Sequence, residues 1–401
     1  MALLPVSEAL ERLLEGAGPS GAETVKLAEA AGRVLAKPLM ALRTQPPFAA
    51  SAMDGYAVRA AHAQKTPARL TIIGMAAAGR PFDGEMGTDE AVRIFTGAPL
   101  PAGADSIVIQ EDVHPLDNGA IEVMEAVIAG RHIRREGLDF AEGDALLEGG
   151  RVLDPAALSL AASANHPDLQ VIRRPLVAII ATGDELLPPG SSIGPGQIIS
   201  SNAFGVAAIV EQAGARTLDL GIAPDRIEAL SGKIRAALEA EADVIVTLGG
   251  ASVGDHDLVR EALTGLGMSL DFWKIAMRPG KPLMFGRLGR TRCIGLPGNP
   301  VASLVCSHLF LKPLVERLSG RPHLADMRDA VLGKAMAAND QRQDYVRAFA
   351  EPRAAGLTAT PFNLQDSSML KTLADANCLI VREPFAPAAA PGAACRVLML
   401  R

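Results

Sequence analysis

Between residues 173 and 320 short apolar runs alternate with amphipathic stretches, and this alternation restricts the fold more than any other feature of the chain. The runs at 177–181, 217–220 and 244–248 are bounded by Gly, Pro or Asp, whereas 203–212, 227–239 and 258–263 carry apolar residues at helical spacing. Strand and helix in strict succession predict a parallel sheet with helices on both faces. In such an open sheet, ligands sit beyond the C-terminal ends of the strands.

The rest of the chain reads differently. Val6, Ala9, Leu10, Leu13 and Leu14 share one helical face, with Ser7 as the expected cap, and a second helix is expected over 22–34. Arg43-Thr44-Gln45-Pro46-Pro47 cannot continue a helix and is read as a linker. From 70 to 125 the apolar runs are short and rich in β-branched residues, separated by Gly, Pro and Asp turns. Residues 133–172 return to polar turns with one helical segment, 155–164. After the helical stretch 301–318, short strands are expected at 331–335, 345–350, 379–381 and 395–400. The expected fold class is multidomain α/β and β. It comprises a helical and linker part (1–47 with 133–172), a small β domain (48–132), a doubly wound parallel-sheet domain (173–320) and a C-terminal β domain (321–401).

With 401 residues the chain is too long for one core, and roughly two to four domains are expected. Aromatic residues make up only 3%, so aliphatic side chains must supply most of the burial. A net charge of −6, with no basic run interleaved with aromatics, argues against a nucleic-acid binder. No uncharged apolar run approaches the roughly 18 residues that a membrane span needs. Cys293, Cys306, Cys378 and Cys395 stand far apart without C-x-x-C spacing, which predicts reduced thiols, no structural metal and a cytoplasmic location.

Chemistry gathers in the α/β part. Gly249, Gly250 and Gly254 follow an apolar run and precede a helical pattern, so backbone N–H groups there can approach a phosphate closely. Asp255 and Asp257 in the same turn would repel that phosphate unless a divalent metal or a proton lay between them, so the loop reads as a phosphate-plus-metal site. A tight strand-to-helix connection with Asp as cap is the structural alternative. Asp184 with Glu185, and Asp225, also follow strand-like runs, so parallel strands would deliver these carboxylates to one edge. Lys274, Arg278 and Lys281 lie in a loop restrained by Pro279, Gly280 and Pro282, a rigid basic segment suited to anions. Leu296-Pro297-Gly298-Asn299-Pro300 forms a second glycine-containing turn into a helix, with Asn299 as a plain cap in the simpler reading.

Taken together, Ser51-Ala52-Met53-Asp54-Gly55-Tyr56-Ala57, Phe95-Thr96-Gly97-Ala98-Pro99, Thr182-Gly183-Asp184-Glu185-Leu186, Gly249-Gly250-Ala251-Ser252-Val253-Gly254, Met277-Arg278-Pro279-Gly280-Lys281-Pro282 and Leu296-Pro297-Gly298-Asn299-Pro300 resemble the molybdopterin molybdenumtransferase (MoeA, gephyrin E-domain) family, in order and spacing across nearly the whole chain. The resemblance implies a homodimer of four-domain subunits whose central domain is similar to separate molybdopterin adenylyltransferases. The implied reaction places molybdenum from molybdate into adenylated molybdopterin, with Mg²⁺-dependent release of AMP.

Carried over position by position, Glu185, Asp225 and Asp257 would surround Mg²⁺ and the adenylate. Lys274, Arg278, Lys281, Arg347 and Ser367, or its neighbour Ser368, would hold molybdate or phosphate. Gly249, Gly250, Ser252, Gly254, Pro297, Gly298 and Asn299 would line the substrate pocket, with Asp54 and Thr96 entering from the partner subunit. Ala251 stands where many relatives have Val, and Arg278 where some have Lys. A transient complex with molybdopterin-synthesis proteins is a further expectation. Two other functions fit parts of the pattern: the glycine loops alone suit adenylyl transfer to molybdopterin, and the architecture alone suits a non-catalytic scaffold of the gephyrin type.

Overall fold

A computed structural model describes residues 3–250, 258–354 and 356–401. The chain divides into two compact units, one comprising Met1–Glu23, Gly32–Val34 and Val171–Arg401, the other Thr24–Ala31 and Leu35–Gln170.

The larger unit is built around a six-stranded sheet in the order Arg216–Ala223, Leu176–Thr182, Val244–Leu248, Thr291–Leu296, Met284–Leu288, Ser269–Phe272. The first four strands are parallel. The last two are antiparallel to their neighbours, so the expected parallel sheet is mixed at one edge. The short Gly289-Arg290 turn between Leu288 and Thr291 explains this, because two residues suffice for a hairpin and not for a crossover.

Alternate side chains of Leu176–Thr182 feed two different cores, which is why the whole run is apolar. Val177 and Ile179 pack with Val206 and Val210 of helix Asn202–Gln212. Ala178 and Ile180 pack on the opposite face with Leu230 and Ile234 of helix Ile227–Glu239. Each such fully buried Val, Leu or Ile contributes about 1.5–3 kcal/mol.

The first helix, Val6–Leu14, buries Ala9 and Leu13 in the first of these cores. Ser7 does not cap it: Pro5 occupies that position and Ser7 lies inside the first turn. The expected helix over 22–34 is also absent. Ala22–Lys26 is a strand and Leu27–Glu29 a single 3₁₀ turn, whose Leu27 N–H donates to Pro167 at 3.0 Å. The β-branched pair Thr24-Val25 favours the extended form, and Gly32, at φ +69°, ends the segment.

Strands Gln343–Arg353, Gly356–Pro361, Met327–Leu332, Ala394–Met399 and Cys378–Arg382 close into a barrel, because the first and last of these also pair. Closure removes free edges from this ring. Strand Met277–Arg278 joins the barrel from outside, parallel to Gln343–Arg353, with Arg278 opposite Asp344. The basic loop thus belongs structurally to the C-terminal strands although it lies within the α/β segment of the sequence.

In the smaller unit a six-stranded sheet runs Ser106–Ile109, Gly55–Val58, Glu90–Ile94, Ala68–Ala76, Ala120–Val123, Val113–Pro115. Neighbouring residues again serve opposite cores: Ala57, Val92 and Ile107 on one face, Val58, Ala91 and Val108 on the other. Gly55 allows a close strand approach, since a Cβ there would lie 1.9 Å from the Val108 carbonyl oxygen. The expected helix at 155–164 is present as Pro155–Ser163, capped by Asp154 accepting the Ala157 N–H at 2.8 Å. Cys293, Cys306 and Cys378 are free and buried.

The helical stretch after Asn299 runs as Pro300–Cys306, a π turn Ser307–Leu311, and Lys312–Leu318. Pro313 has no N–H to continue the ladder, and the preceding turn widens. His308 lies in that turn, and burial, helped by nearby Lys312, pushes its pKa from the ordinary 6.5 down to about 4. A depressed histidine is neutral in the fold while the unfolded chain takes up a proton first. Its contribution is therefore complete above pH 6.5 and is lost as pH falls from 6.5 towards about 4. Urea unfolding of His308→Gln is expected to lose less stability than the parent over that window. Parallel losses in the two proteins would contradict this.

Candidate functional site

A cavity of about 660 Å³ opens beyond the C-terminal ends of the four parallel strands, lined by their last residues and the turns that follow. Thr182, Leu248 and the turn after Leu296 converge there, as the sheet topology dictates. Two glycine turns meet at its floor. Gly249 donates its N–H to Leu296 at 3.2 Å, and a Cβ on Gly298 would come within 3.6 Å of the Gly249 Cα. Gly249 and Gly250 have φ of +96° and +68°, a region that side chains rarely adopt. Added Cβ atoms would lie 2.8 Å from the Thr182 carbonyl oxygen and 2.3 Å from Val259, respectively.

Glu185 and Asp225 both line this cavity. The Thr182 hydroxyl donates to Asp225 Oδ1 at 2.7 Å, and Asp184 accepts the Asp225 backbone N–H at 3.1 Å. Glu185 folds back over Gly183, where a Cβ would meet its carboxylate at 2.5 Å. Among the described residues no group of three His, Cys, Asp or Glu side chains could hold an ion alone. Two carboxylates beside a phosphate cradle nevertheless suit Mg²⁺, which usually takes one or two protein carboxylates and completes its shell with water and phosphate oxygens. Asp257, with Ser252, Gly254 and Asp255, lies outside the described residues.

Gly249, Gly250, Pro297, Gly298 and Asn299 line the same cavity, as does Ser368. Asn299 Nδ2 donates to Ser367 Oγ at 2.8 Å, so Ser367 is tied to the second glycine turn while Ser368 reaches the cavity wall. From the basic loop only Pro282 is part of this lining.

The cations Arg278 and Arg347 instead line a second cavity of about 600 Å³, together with Lys334 and Arg382. Arg278 Nη2 pairs with Asp344 and also donates to Asn339 at 3.3 Å, while its Nη1 lies 3.7 Å from Asp340. Asp340 is held at about 2, first by the Arg342 guanidinium and, less, by Arg278. Asp344 is 7% exposed, and its Oδ1 has no hydrogen-bond partner among the described residues. Arg347 is 1% exposed, and burial lowers its pKa from the usual guanidinium value. Lys274 sits on the Trp273 ring, with its Nζ 4.5 Å from the centroid, and Lys281 is exposed. The described residues therefore place the carboxylates and the two arginines in separate cavities, with segments 278–282 and 365–368 contributing to both.

In the smaller unit Asp54 accepts the Thr96 backbone N–H and hydroxyl, each at 2.8 Å. Arg93 stacks nearby on Tyr56 and Phe95, at 4.8 and 5.0 Å from their centroids. The two motifs that carry Asp54 and Thr96 thus form one exposed arrangement.

Several lining residues were not singled out from sequence. Ser200, Ser201 and Asn202 precede and open helix Asn202–Gln212, a recognisable capping signal, and they line the first cavity. Asn202 Nδ2 donates to the Gly298 carbonyl at 2.8 Å. Thr182 stands first in the Thr182-Gly183-Asp184-Glu185-Leu186 motif, but nothing in the sequence gives its hydroxyl a partner, which is Asp225.

Three family descriptions match: "MoeA N-terminal region (domain I and II)" over 4–165, "Probable molybdopterin binding domain" over 178–317, and "MoeA C-terminal region (domain IV)" over 329–400. The chain is 36% identical over 389 residues to a molybdopterin molybdenumtransferase of Haemophilus influenzae, covering 95% of each protein. It is 34% identical over 407 residues to that of Bacillus subtilis, covering 99% of this chain and 94% of the relative. A crystal structure of a molybdopterin biosynthesis MoeA protein from a Pyrococcus species superimposes over all of both chains with a TM-score of 0.86 and 29% identity.

The Thr96 hydroxyl bond has a direct consequence. The backbone N–H of Thr96, then its hydroxyl, hold the Asp54 carboxyl below the ordinary 3.8. Thr96→Val removes the second donor and is expected to raise the Asp54 titration midpoint towards 3.8, read by NMR. An unmoved midpoint would remove the hydroxyl from the causes and leave the backbone donor and Arg93.

Proposed function

This chain belongs to the molybdopterin molybdenumtransferase (MoeA) family, transferases of molybdenum cofactor biosynthesis, and from that premise we propose that it takes adenylated molybdopterin and molybdate, releases AMP with Mg²⁺ present, and leaves molybdenum on the pterin. The observation that carries this reading is the first cavity, where two glycine turns and two carboxylates share one strand edge.

The adenylate phosphate fits the glycine turns: the Gly249 N–H is spent on Leu296, while Gly250 and Gly298 bring backbone to the cavity with no Cβ to keep an anion at a distance. Glu185 and Asp225 are the described residues that would hold Mg²⁺, and the ion would supply positive charge to offset that of the phosphate. The hydroxyl of Thr182 donates to Asp225 Oδ1 and would orient that carboxylate as a ligand. Arg278 and Arg347 supply planar donor forks for the tetrahedral oxyanion, and their cavity adjoins segments that also wall the first.

The proposal extends to a homodimer in which the exposed pair Asp54 and Thr96 is presented to the site of a second copy. Its place of action is the cytoplasm, consistent with four free cysteines.

The test combines the purified chain with adenylated molybdopterin, molybdate and Mg²⁺, following AMP release and molybdenum retained on the pterin. Both products are expected. Asp225→Asn and Glu185→Gln should each lower turnover roughly a hundredfold and weaken Mn²⁺ binding followed by electron paramagnetic resonance. Unchanged turnover and unchanged Mn²⁺ binding would remove these carboxylates from the reaction. ATP-dependent adenylylation of molybdopterin in place of AMP release would assign the chain the other chemistry.

A further inference from the structure

The side chain of Gln365 makes four hydrogen bonds, three of them to Arg347. Its Oε1 accepts the Arg347 backbone N–H at 3.0 Å and the Arg347 Nε–H at 3.1 Å. Its Nε2 donates to the Arg347 carbonyl and to the Phe362 carbonyl, both at 2.9 Å.

The need for these bonds arises from the barrel itself. Strand Gly356–Pro361 pairs with Gln343–Arg353 only as far as Pro361 opposite Ala348. Beyond that point Arg347 would face the end of the ladder with an unpaired N–H on a buried strand, a costly arrangement. A carboxamide carries the same donor and acceptor as a peptide group. Phe362, the next residue along, still donates its N–H to the Arg347 carbonyl at 3.1 Å, so Gln365 supplies the acceptor that the Arg347 N–H lacks and adds a second donor to the carbonyl.

The same oxygen that completes the ladder also takes Arg347 Nε, and the Asp366 carbonyl takes Nη1 at 2.7 Å. With two of its three nitrogens anchored, the guanidinium plane is fixed. Nη2 is the nitrogen left without a hydrogen bond among the described residues, in a side chain that lines the second cavity beside Arg278. We propose that Gln365 is a positioning residue for oxyanion binding: by accepting both the backbone N–H and the Nε–H of Arg347, it locks that arginine's guanidinium so that Nη2 is presented to the anion.

This inference rests on the reading of the second cavity as the molybdate site, and the experiment separates the two. Molybdate binding to the full-length chain is measured by calorimetry for the parent, Gln365→Met, Arg347→Lys and the double variant. Methionine retains the side-chain volume while removing all four bonds, and urea unfolding confirms that each variant is folded. Gln365→Met is expected to bind molybdate roughly tenfold more weakly, the scale of one positioned charge-assisted donor. Arg347→Lys removes the fork, so the double variant should bind no more weakly than Arg347→Lys alone. Unchanged affinity in Gln365→Met, or losses that simply add in the double variant, would overturn the positioning role while leaving the molybdate site in place. Arg347→Lys without effect would overturn both.

Discussion

Everything at the first cavity depends on one strand being buried from both sides. Leu176–Thr182 can present Thr182, Gly183 and Glu185 at a fixed edge because its odd and even side chains are gripped by separate helical layers. A slip by one residue would exchange those two faces and carry the site out of register. The neighbouring strand Val244–Leu248, buried along its whole length, brings the first glycine turn to the same level, where Gly298 meets it backbone to backbone.

The distribution of charge follows from that frame and from the barrel. Carboxylates ride on the turns after the parallel strands, whereas Arg278 and Arg347 are fixed by barrel strands, one through Asp344 and the other through Gln365. Among the described residues, Glu185 and Asp225 are thereby placed in one cavity and Arg278 and Arg347 in another. Asp225, Arg278 and Arg347 each have a protein partner that sets the direction of the side chain, which limits the reorganisation needed on binding.

The sequence was most informative where one periodicity governed a whole element. The alternation from 173 to 320 is found as strands and helices in the expected order, because continuous apolar strands and amphipathic helices can satisfy their burial in few other ways. Glu185, Asp225, Gly249, Gly250 and Asn299 were legible for the same reason: strand ends in a parallel sheet share an edge. Local signals failed where tertiary pairing decided. Ser7 has cap chemistry, yet the cap position falls two residues earlier, at Pro5, and 22–34 has helical spacing but Thr24-Val25 is extended. The partners that orient the arginines could not be read at all. Asp344 lies 66 positions from Arg278, and Gln365 lies 18 from Arg347, with no periodicity linking either pair.

Strand Met277–Arg278 is a rung attached to a closed ring of β-structure, with its backbone fastened opposite Gln343 and Asp344. A ring without loose margins deforms as a whole. Any tilt of that ring would therefore carry the Arg278 backbone with it, and because the chain continues within four residues to Pro282 in the wall of the first cavity, the tilt would be felt there as a tug on its rim. Four residues thus join a strand fastened to the ring with the wall of the first cavity.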